Sequence, residues 1–485
     1  MTAAPADERA GPSAGGPSAG GPSAGGPSAG GPSAEDLRRA VRAGVTRPLK
    51  WRKAQLQAMV HMLDERKADL TRALTADLGR PPFEAWLTDL APIRSQVVHL
   101  IDHLSTWAAP EKVRVPARSR PGRAWVVSEP LGAVLVMAPW NYPVQLLLLP
   151  AAYALAAGNA VCAKPSERAP ATSAALATFG PRYLDPEAVS IVEGGPEEAS
   201  RLLEQRWDHI FFTGSAATAR TVMAAAARHL TPVTLELGGK CPAIVSRDAD
   251  LDVAARRIVW GKFLNAGQTC VAPDYVVVEE QVEHDLVDRM VKAVGDLYGP
   301  DPQTSPDYGR VVDTTRLARL VGLLDSLTTS TVVTGGQSAV ESCYLAPTIL
   351  TGSTWQEPIM AGEIFGPILP VIRVGGLDEA IAMVNSHEKP LAVYVFSGDP
   401  DIVDLVVAST SSGGVCANGT VVQLAVPDLP FGGVGHSGMG AYHGRAGYDT
   451  FSHRKSVLAR STRFDSSLVY PPYGRLKRWV LERAL

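Results

Sequence analysis

The segment from Ala133 to Leu235 alternates short apolar runs with stretches of helical pattern. The apolar runs are Ala133–Met137, Ala160–Ala163, Val189–Val192, Ile210–Phe212 and Val233–Leu235. The helical stretches between them include Val144–Ala156, Glu197–Glu204 and Ala216–Arg228. This alternation predicts a parallel sheet with helices on both faces, which is an α/β fold. Such sheets bind ligands beyond the carboxyl ends of their strands, so the loops that follow the runs should carry the chemistry.

Three of these loops contain suitable polar side chains. Asn141 lies between two prolines, and its amide can either donate to an oxyanion or brace a turn. Lys164 and Glu167 follow the second run and suit either ribose and phosphate groups or an ordinary solvated turn. The loop Phe212–Ser215 leads directly into a helix, whose first N–H groups favour a phosphate, although this loop lacks the Gly-x-Gly-x-x-Gly pattern. Together the three loops predict a dinucleotide crevice.

A single cysteine, Cys270, follows a small polar loop that begins at Asn265. Upstream of it, Glu236 is a lone carboxylate in an apolar stretch that ends in two glycines. A lone cysteine is usually a small buried hydrophobe. A thiol together with a buried carboxylate, however, is also the pair that covalent catalysis with a separate general base requires.

Composition excludes several other classes of protein. The net charge of −3 is spread over mixed acids and bases, so no nucleic-acid partner is expected. The five cysteines are scattered without a Cys-x-x-Cys pair, which favours reduced thiols in the cytoplasm and no metal site. No apolar stretch reaches 18 residues, so no membrane span is expected. Repeats of Gly-Pro-Ser-Ala fill residues 11–34, and we expect residues 1–34 to form a disordered tail.

From about residue 35 to 473 the chain resembles the aldehyde dehydrogenase superfamily. The matching motifs are Pro139-Trp140-Asn141, Lys164-Pro165-Ser166-Glu167, Phe212-Thr213-Gly214-Ser215, Leu235-Glu236-Leu237-Gly238-Gly239-Lys240, Gly267-Gln268-Thr269-Cys270 and Glu363-Ile364-Phe365-Gly366-Pro367. Trp51-Arg52, Asp77–Pro82 and Pro430–Gly444 resemble the class 3 branch, which includes fatty, aromatic and coniferyl aldehyde dehydrogenases.

The resemblance implies an NAD(P)-dependent oxidation of an aldehyde to a carboxylic acid. Cys270 would attack the aldehyde, Asn141 would hold the oxyanion, and Glu236 would activate the water that hydrolyses the resulting thioester. The implied cofactor contacts are Trp140, Lys164, Glu167, Gly214, Ser215, Glu363 and Phe365. NAD is the expected cofactor and NADP is an alternative, since Glu167 would repel a 2′-phosphate while Lys164 would attract one.

The resemblance also implies an architecture and a substrate class. The expected parts are a tail at 1–34, a Rossmann-type NAD(P)-binding domain at 35–106 and 129–235, an α/β catalytic domain at 236–430, and small β oligomerisation or bridging segments at 107–128 and 431–485. The late start of the ordered chain favours a homodimer. Tyr142, Trp260, Trp86 and His443 are the expected substrate contacts, and their aromatic character suits an apolar aliphatic or aromatic aldehyde.

Two alternatives stay open at this point. Relatives that transfer the acyl group to coenzyme A generally lack the general-base glutamate, so Glu236 favours hydrolysis to the free acid. A structural protein that retained the fold is the second alternative, and the presence of Cys270, Glu236, Asn141 and Glu363 together argues against it.

Overall fold

The first described residues cap a helix. The computed structural model describes residues 33–116, 121–463 and 465–484, so residues 1–32 of the expected tail lie outside the described residues. Ser33 accepts a hydrogen bond from the backbone N–H of Asp36 (3.2 Å), and Ala34 is only 3% exposed. Residues 33 and 34, which the sequence placed in the tail, therefore belong to the start of the first helix, because a Ser–Asp capping box fixes this start.

Helices surround the sheets of the molecule. In chain order they are α1 (Ala34–Arg42), α2 (Leu49–Glu65), α3 (Lys67–Leu78), α4 (Pro82–Ala85), α5 (Ala91–Trp107), α6 (Gln145–Ala157), α7 (Pro170–Tyr183), α8 (Pro196–Leu203), α9 (Ala216–Ala227), α10 (Leu251–Phe263), α11 (Glu283–Tyr298), α12 (Thr314–Asp325), α13 (Leu377–Asn385), α14 (Pro400–Ser409), α15 (Gly444–Thr450) and α16 (Arg475–Ala484). A π-helical segment, Trp86–Leu90, joins α4 to α5. None of the helices in the described ranges is both long and apolar enough to cross a membrane.

The strands form three larger sheets and one small pair. In chain order they are β1 (Glu111–Val113), β2 (Gly122–Pro130), β3 (Ala133–Met137), β4 (Ala160–Lys164), β5 (Val189–Ile191), β6 (His209–Thr213), β7 (Val233–Glu236), β8 (Pro242–Val245), β9 (Tyr275–Glu279), β10 (Thr331–Thr334), β11 (Ser338–Ala339), β12 (Tyr344–Leu345), β13 (Thr348–Thr351), β14 (Ile368–Val374), β15 (Ala392–Phe396), β16 (Gly414–Ala417), β17 (Gly438–Met439) and β18 (Ser452–Arg460).

The five predicted apolar runs become the parallel strands of the first sheet. Its order is β17-β7-β6-β3-β4-β5, and only β17 runs antiparallel to its neighbour. Strands β3, β4 and β6 are buried throughout, as expected for strands covered by helices on both faces. The chain returns from far downstream to add β17, whose Gly438 pairs with Glu236. The predicted α/β fold is confirmed.

A second sheet, of order β10-β13-β14-β9-β8-β15-β16, lies between its own helices and is parallel except for β10. The third sheet, β1-β2-β18, is antiparallel and largely exposed. Its first strand, Glu111–Val113, ends before Pro116, which has no N–H to donate to a ladder. Residues 117–120, between this strand and β2, lie outside the described residues.

One boundary departs from the pattern of the sequence. Leucines at helical spacing from Leu56 to Leu74 belong to two helices, since Arg66 leaves helical geometry (φ −100°, ψ 14°) between α2 and α3. These leucines still share one core with α5 and α6. The second helix ends at Gly79, whose φ of 55° is left-handed and so favours glycine. The following residues, Arg80 and Pro81, then turn toward the site.

Candidate active site

A strained loop presents Cys270. Helix α10 ends at Phe263, and the next turn contains Asn265 and Ala266 with φ of 52° and 50°. Left-handed geometry is costly for alanine, so surrounding contacts must hold it. Gly267 (φ 74°) is required here, because a Cβ atom would lie 2.3 Å from the carbonyl oxygen of Gly366. The loop of Cys270 is thus packed tightly against the loop that follows Glu363.

The side chain of Gln268 holds this loop in place. Its Nε2 donates to the carbonyl oxygens of Asn265 (3.0 Å) and Arg310 (2.9 Å), while its Oε1 accepts from the N–H of Val312 (2.9 Å). The sequence placed Gln268 in a motif without a role. Because a fully buried amide with three hydrogen bonds fixes the turn, Gln268 orients the thiol that follows.

Burial keeps the Cys270 thiol protonated. It raises the pKa of Cys270 to about 12, and the nearby carboxylates of Glu363 and Glu236 act in the same direction. A nucleophilic thiolate therefore requires a base to take its proton. All five cysteines are free thiols. Across the described ranges, no group of three or more His, Cys, Asp or Glu side chains is placed to hold a metal ion.

Glu236 ends the central strand β7 with its side chain 1% exposed. Within the described part of the chain, neither of its carboxylate oxygens has a hydrogen-bond partner. Burial raises its pKa well above the ordinary value. A carboxylate with a raised pKa is a stronger base once ionised, so its environment suits proton transfer at neutral pH.

Asn141 follows β3 and faces the cysteine loop. Its side-chain Nδ2 donates to the carbonyl oxygen of Gln268 (3.0 Å), which leaves its second N–H for another acceptor. Its backbone carbonyl accepts from Asn265 Nδ2 (2.9 Å) and from the guanidinium of Arg80. The amide is therefore fixed from both sides, as an oxyanion donor must be.

Arg80 and Asp89 form a buried ion pair that the sequence did not predict as part of the site. Both side chains are fully buried, with 3.2 Å between Arg80 Nη1 and Asp89 Oδ2, and Arg80 Nε donates to Asn265 Oδ1 (3.2 Å). Burial raises the pKa of Asp89 to about 6 even though Arg80 opposes this change. A signal existed in the sequence, since Arg80 stands between a helix-ending glycine and two prolines, but nothing in the pattern identified its partner.

A cavity of about 380 Å³ opens at Cys270. Its apolar lining comprises Leu87, Ala91, Pro92, Tyr142, Leu146, Trp260, Leu264, Val271, Val421, Val422, Leu424, Ala425, Phe431 and Tyr442. Three of the four expected substrate residues, Tyr142, Trp260 and His443, are among the residues that line it. Its size and composition suit a small apolar ligand.

The structure does not bring Trp86 into this cavity. Among the described residues the lining instead contains its neighbours Leu87 and Thr88. The π-helical segment that begins at Trp86 changes the helical pitch and so rotates the side chains that follow. The Trp86 ring packs beside Phe83 (5.5 Å between centroids) and under the ammonium group of Lys67 (4.3 Å).

A second cavity of about 430 Å³ lies at the carboxyl ends of the first sheet and contains Ser215 and Glu363. Ser215 caps α9, its hydroxyl accepting from the N–H of Thr218 (3.3 Å), so the helix presents its positive end there. A Cβ atom on Gly238 would lie 2.3 Å from Glu363 Oε2, so the backbone of this glycine lies directly beside the carboxylate. A concave site with a helix N-terminus and a carboxylate fits a dinucleotide with its phosphates and ribose hydroxyls.

The other expected cofactor residues, Trp140, Lys164, Glu167, Gly214 and Phe365, are not among the described residues that line this cavity. The rings of Trp140 and Phe365 meet edge to face at 5.5 Å. Lys164 Nζ lies 3.2 Å from a carboxylate oxygen of Glu167 at the end of β4, so the two charges pair with each other. The N–H of Gly214 donates to the carbonyl oxygen of Glu236 (2.9 Å) and is therefore not available to a phosphate.

Glu236 and Glu363 thus act on the pKa of the Cys270 thiol, the Asn141 amide bonds the loop before this thiol, and Glu363 also lines the cavity that fits a dinucleotide. This combination is typical of a cysteine-dependent oxidoreductase. The profile of the "Aldehyde dehydrogenase family" matches residues 33–457. The chain is 46% identical to mouse "Aldehyde dehydrogenase, dimeric NADP-preferring" over 90% of this chain and 96% of that protein. It is 45% identical to "Aldehyde dehydrogenase family 3 member H1" of Arabidopsis thaliana over 92% and 93%.

Among solved structures, the "Substrate bound state of Staphylococcus Aureus AldH" superposes with a TM-score of 0.90 at 39% identity, covering 93% of this chain and 98% of that one. The chain belongs to the aldehyde dehydrogenase family, and it is an NAD(P)-dependent aldehyde dehydrogenase. The resemblance to the class 3 branch is confirmed by relatives named as family 3 members. Coenzyme A acylation finds no support in these comparisons.

Proposed function

We propose that the cavity at Cys270 accepts an apolar aliphatic or aromatic aldehyde, and that Cys270, Glu236 and Asn141 carry out the reaction. The observation that carries the proposal is the position of the thiol in the wall of an otherwise largely apolar cavity. The carbonyl carbon of a bound aldehyde would lie near the Cys270 thiol, and the fixed amide of Asn141 bonds the loop that precedes this thiol.

The first half of the reaction forms a bond between Cys270 Sγ and the carbonyl carbon. Glu236 accepts the thiol proton, and its raised pKa makes it a stronger base than an exposed carboxylate. The free N–H of Asn141 and the backbone N–H of Cys270 donate to the oxyanion. Bound NAD(P) supplies the oxidation by accepting a hydride, which leaves a thioester on Cys270.

The second half returns the enzyme to its starting state. After Glu236 passes its first proton to solvent, it accepts a proton from a water molecule. That water attacks the thioester carbon while Asn141 again holds the oxyanion. The bond between carbon and sulfur then breaks, the carboxylic acid leaves, and Cys270 regains a proton.

We infer that Ser215 contacts the pyrophosphate and Glu363 the nicotinamide ribose. The structural support is that both line the second cavity. We assign the adenosine ribose to Lys164 and Glu167, and the surroundings of the nicotinamide to Trp140 and Phe365. NAD is the proposed preference, because the Lys164 ammonium is already paired with Glu167 and so attracts a 2′-phosphate less. The mouse relative is named NADP-preferring, which supports acceptance of NADP as well.

We propose that cofactor binding, catalysis and subunit pairing belong to different segments of the chain, with the bounds expected from the sequence. Residues 35–106 and 129–235 would bind the cofactor, and residues 236–430 would carry the thiol. Residues 107–128 and 431–485 would pair two copies into a homodimer. Exposed apolar side chains on these segments support this pairing, namely Val113, Leu458, Leu476 and Trp479. The five free thiols support a cytoplasmic location.

Replacing Glu236 with Gln tests the proposed mechanism. With NAD and either benzaldehyde or hexanal, the variant should release one reduced cofactor per site in a burst that is slower than the first turnover of the wild type, because the thiol has lost its base. Later turnovers should be slower still, because no carboxylate activates the water, so the thioester on Cys270 accumulates in intact-mass spectra. Cys270→Ser should show no burst, whereas Cys162→Ser should retain most activity. Steady turnover of Glu236→Gln at the normal rate would contradict the role of Glu236. A strict requirement for added coenzyme A would contradict hydrolysis.

A further inference from the structure

His443 lies in the wall of the substrate cavity with unused hydrogen-bonding capacity. Its side chain is 1% exposed, and neither Nδ1 nor Nε2 has a hydrogen-bond partner among the described residues. Its neighbours are rings rather than polar groups, since Phe431 and Tyr442 lie 5.6 Å and 4.4 Å away between centroids. Buried imidazole nitrogens are normally paired, so the arrangement points to a group that arrives from the cavity.

Gln96 provides a second unused donor in the same wall. It is 3% exposed, and its Oε1 accepts from the hydroxyl of Tyr153 (2.9 Å). Its Nε2 is unpartnered within the described chain. The Tyr153 hydroxyl in turn accepts from the N–H of Gly444 (2.8 Å), the residue next to His443. Gln96 and His443 are therefore held in one network, and both line the cavity.

Some other polar groups of the wall have partners. The hydroxyl of Tyr142 lies 2.6 Å from that of Thr269, and Thr88 Oγ1 donates to the carbonyl oxygen of Glu84 (2.7 Å). Among the described wall residues, the side-chain atoms that are fully enclosed without a hydrogen-bond partner belong to Gln96 and His443, while much of the remaining wall is aliphatic and aromatic.

The two residues together recognise a group that both donates and accepts. Burial lowers the pKa of His443 to about 4, so the ring is neutral at physiological pH and offers one donor and one acceptor. Gln96 offers donors only, because its oxygen is occupied. A hydroxyl group fits this set. A methyl group forms no hydrogen bond with Gln96 or His443. An ether or a carboxylate only accepts hydrogen bonds, so it would leave the acceptor nitrogen of the imidazole unpaired.

We propose that the cavity is selective for aldehydes that carry a hydroxyl group remote from the carbonyl, in particular phenolic benzaldehydes, and that His443 and Gln96 bind this hydroxyl. The rings of Trp260, Phe431 and Tyr442 in the wall favour an aromatic body for the ligand. The inference rests on the proposed function, since it assumes that the aldehyde enters this cavity and reaches Cys270.

The test compares substrates of matched shape. Values of kcat/KM are measured for 3- and 4-hydroxybenzaldehyde against 3- and 4-methylbenzaldehyde, which replace the hydroxyl by a group of similar size. The wild-type enzyme should prefer at least one hydroxyl compound by about 10- to 100-fold. In His443→Phe this ratio should fall close to one, and His443→Asn should restore part of it. His284→Phe, on the exposed face of α11, is the control and should leave the ratio unchanged.

A binding measurement separates the inference from the proposed function. Calorimetry with the unreactive 3- and 4-hydroxybenzyl and methylbenzyl alcohols reports recognition without turnover. Tighter binding of the hydroxybenzyl alcohols than of the methylbenzyl alcohols, lost in His443→Phe, would support the inference even if no aldehyde were oxidised. The absence of aldehyde oxidation would overturn the proposed function instead. A wild-type enzyme with equal kcat/KM and equal affinity for both members of each pair would overturn the inference. A preference for the hydroxyl compounds that persists in His443→Phe would also overturn the inference. That result is expected if bound water, rather than the ligand, forms the hydrogen bonds of the imidazole.

Discussion

The guanidinium of Arg80 donates to the backbone carbonyl oxygen of Asn141, and this contact fixes the proposed oxyanion donor from behind. Asp89 balances the charge of Arg80 at 3.2 Å, and all three side chains are buried. Because the arginine also bonds Asn265 in the cysteine loop, one cation positions both the amide and the loop that holds the thiol.

Replacement of Arg80 with Met should therefore lower both stability and activity. The variant leaves Asp89 unpaired, and loss of one member of a buried pair costs about 3–5 kcal/mol in the free energy of unfolding. Displacement of Asn141 should reduce kcat by about 100-fold. In the double variant Arg80→Met/Asp89→Asn, urea unfolding should show recovered stability while kcat stays low. Recovery of both would mean that Arg80 acts on stability alone.

Gly267→Ala should separate the cysteine loop from the loop after Glu363. The added Cβ would meet the Gly366 carbonyl oxygen at 2.3 Å in a backbone that is left-handed. We expect a loss of about 1–3 kcal/mol in stability together with slower turnover. Gly322→Ala in α12 is the matched control, because nothing lies within 4 Å of its added Cβ and alanine favours a helix. Equal melting temperatures for the two variants would contradict the predicted clash.

The raised pKa of Glu236 gives stability a defined dependence on pH. The folded state binds the proton more tightly than the unfolded state, so stability falls as pH rises above the ordinary value of 4.5 and continues to fall up to the folded pKa. Glu236→Gln carries no such proton. Its stability relative to wild type should grow by about 1.4 kcal/mol for each pH unit in that window. Thermal unfolding of both proteins across this pH range measures the difference between their free energies of unfolding. A difference that stays constant with pH would contradict the raised pKa of Glu236.

The protonated state of Cys270 can be measured by alkylation. Since burial and the nearby carboxylates raise its pKa to about 12, the thiolate fraction of the cofactor-free enzyme should increase about tenfold with each pH unit from about pH 7 to about pH 10. The rate of iodoacetamide modification, followed by peptide mass spectrometry, should rise in step without a plateau. The Cys270→Ser variant provides the blank for the other thiols. A plateau near neutral pH would show that a base already holds the proton.

The sequence predicted well what depends on local pattern. The buried strands β3 to β7 followed from apolar runs, and the placement of Ser215 followed from the loop before α9. Residues whose role depends on distant contacts were missed. Arg80 acts through Asn141, and no pattern along the chain joins the two positions. Trp86, an expected substrate contact, is absent from the described lining of the cavity, which contains Leu87 and Thr88 instead, and the apolar pattern did not indicate the π-helical segment that begins at Trp86.

The pairing of Gly438 with Glu236 has a consequence for biosynthesis. Strand β7 acquires its second neighbour only when Met439 has left the ribosome, long after Cys270 has emerged. The sheet that contains Glu236 is therefore still incomplete when Cys270 emerges. Catalytic competence is thus expected to arise late in translation, as a property of the whole polypeptide rather than of the segment that contains the nucleophile.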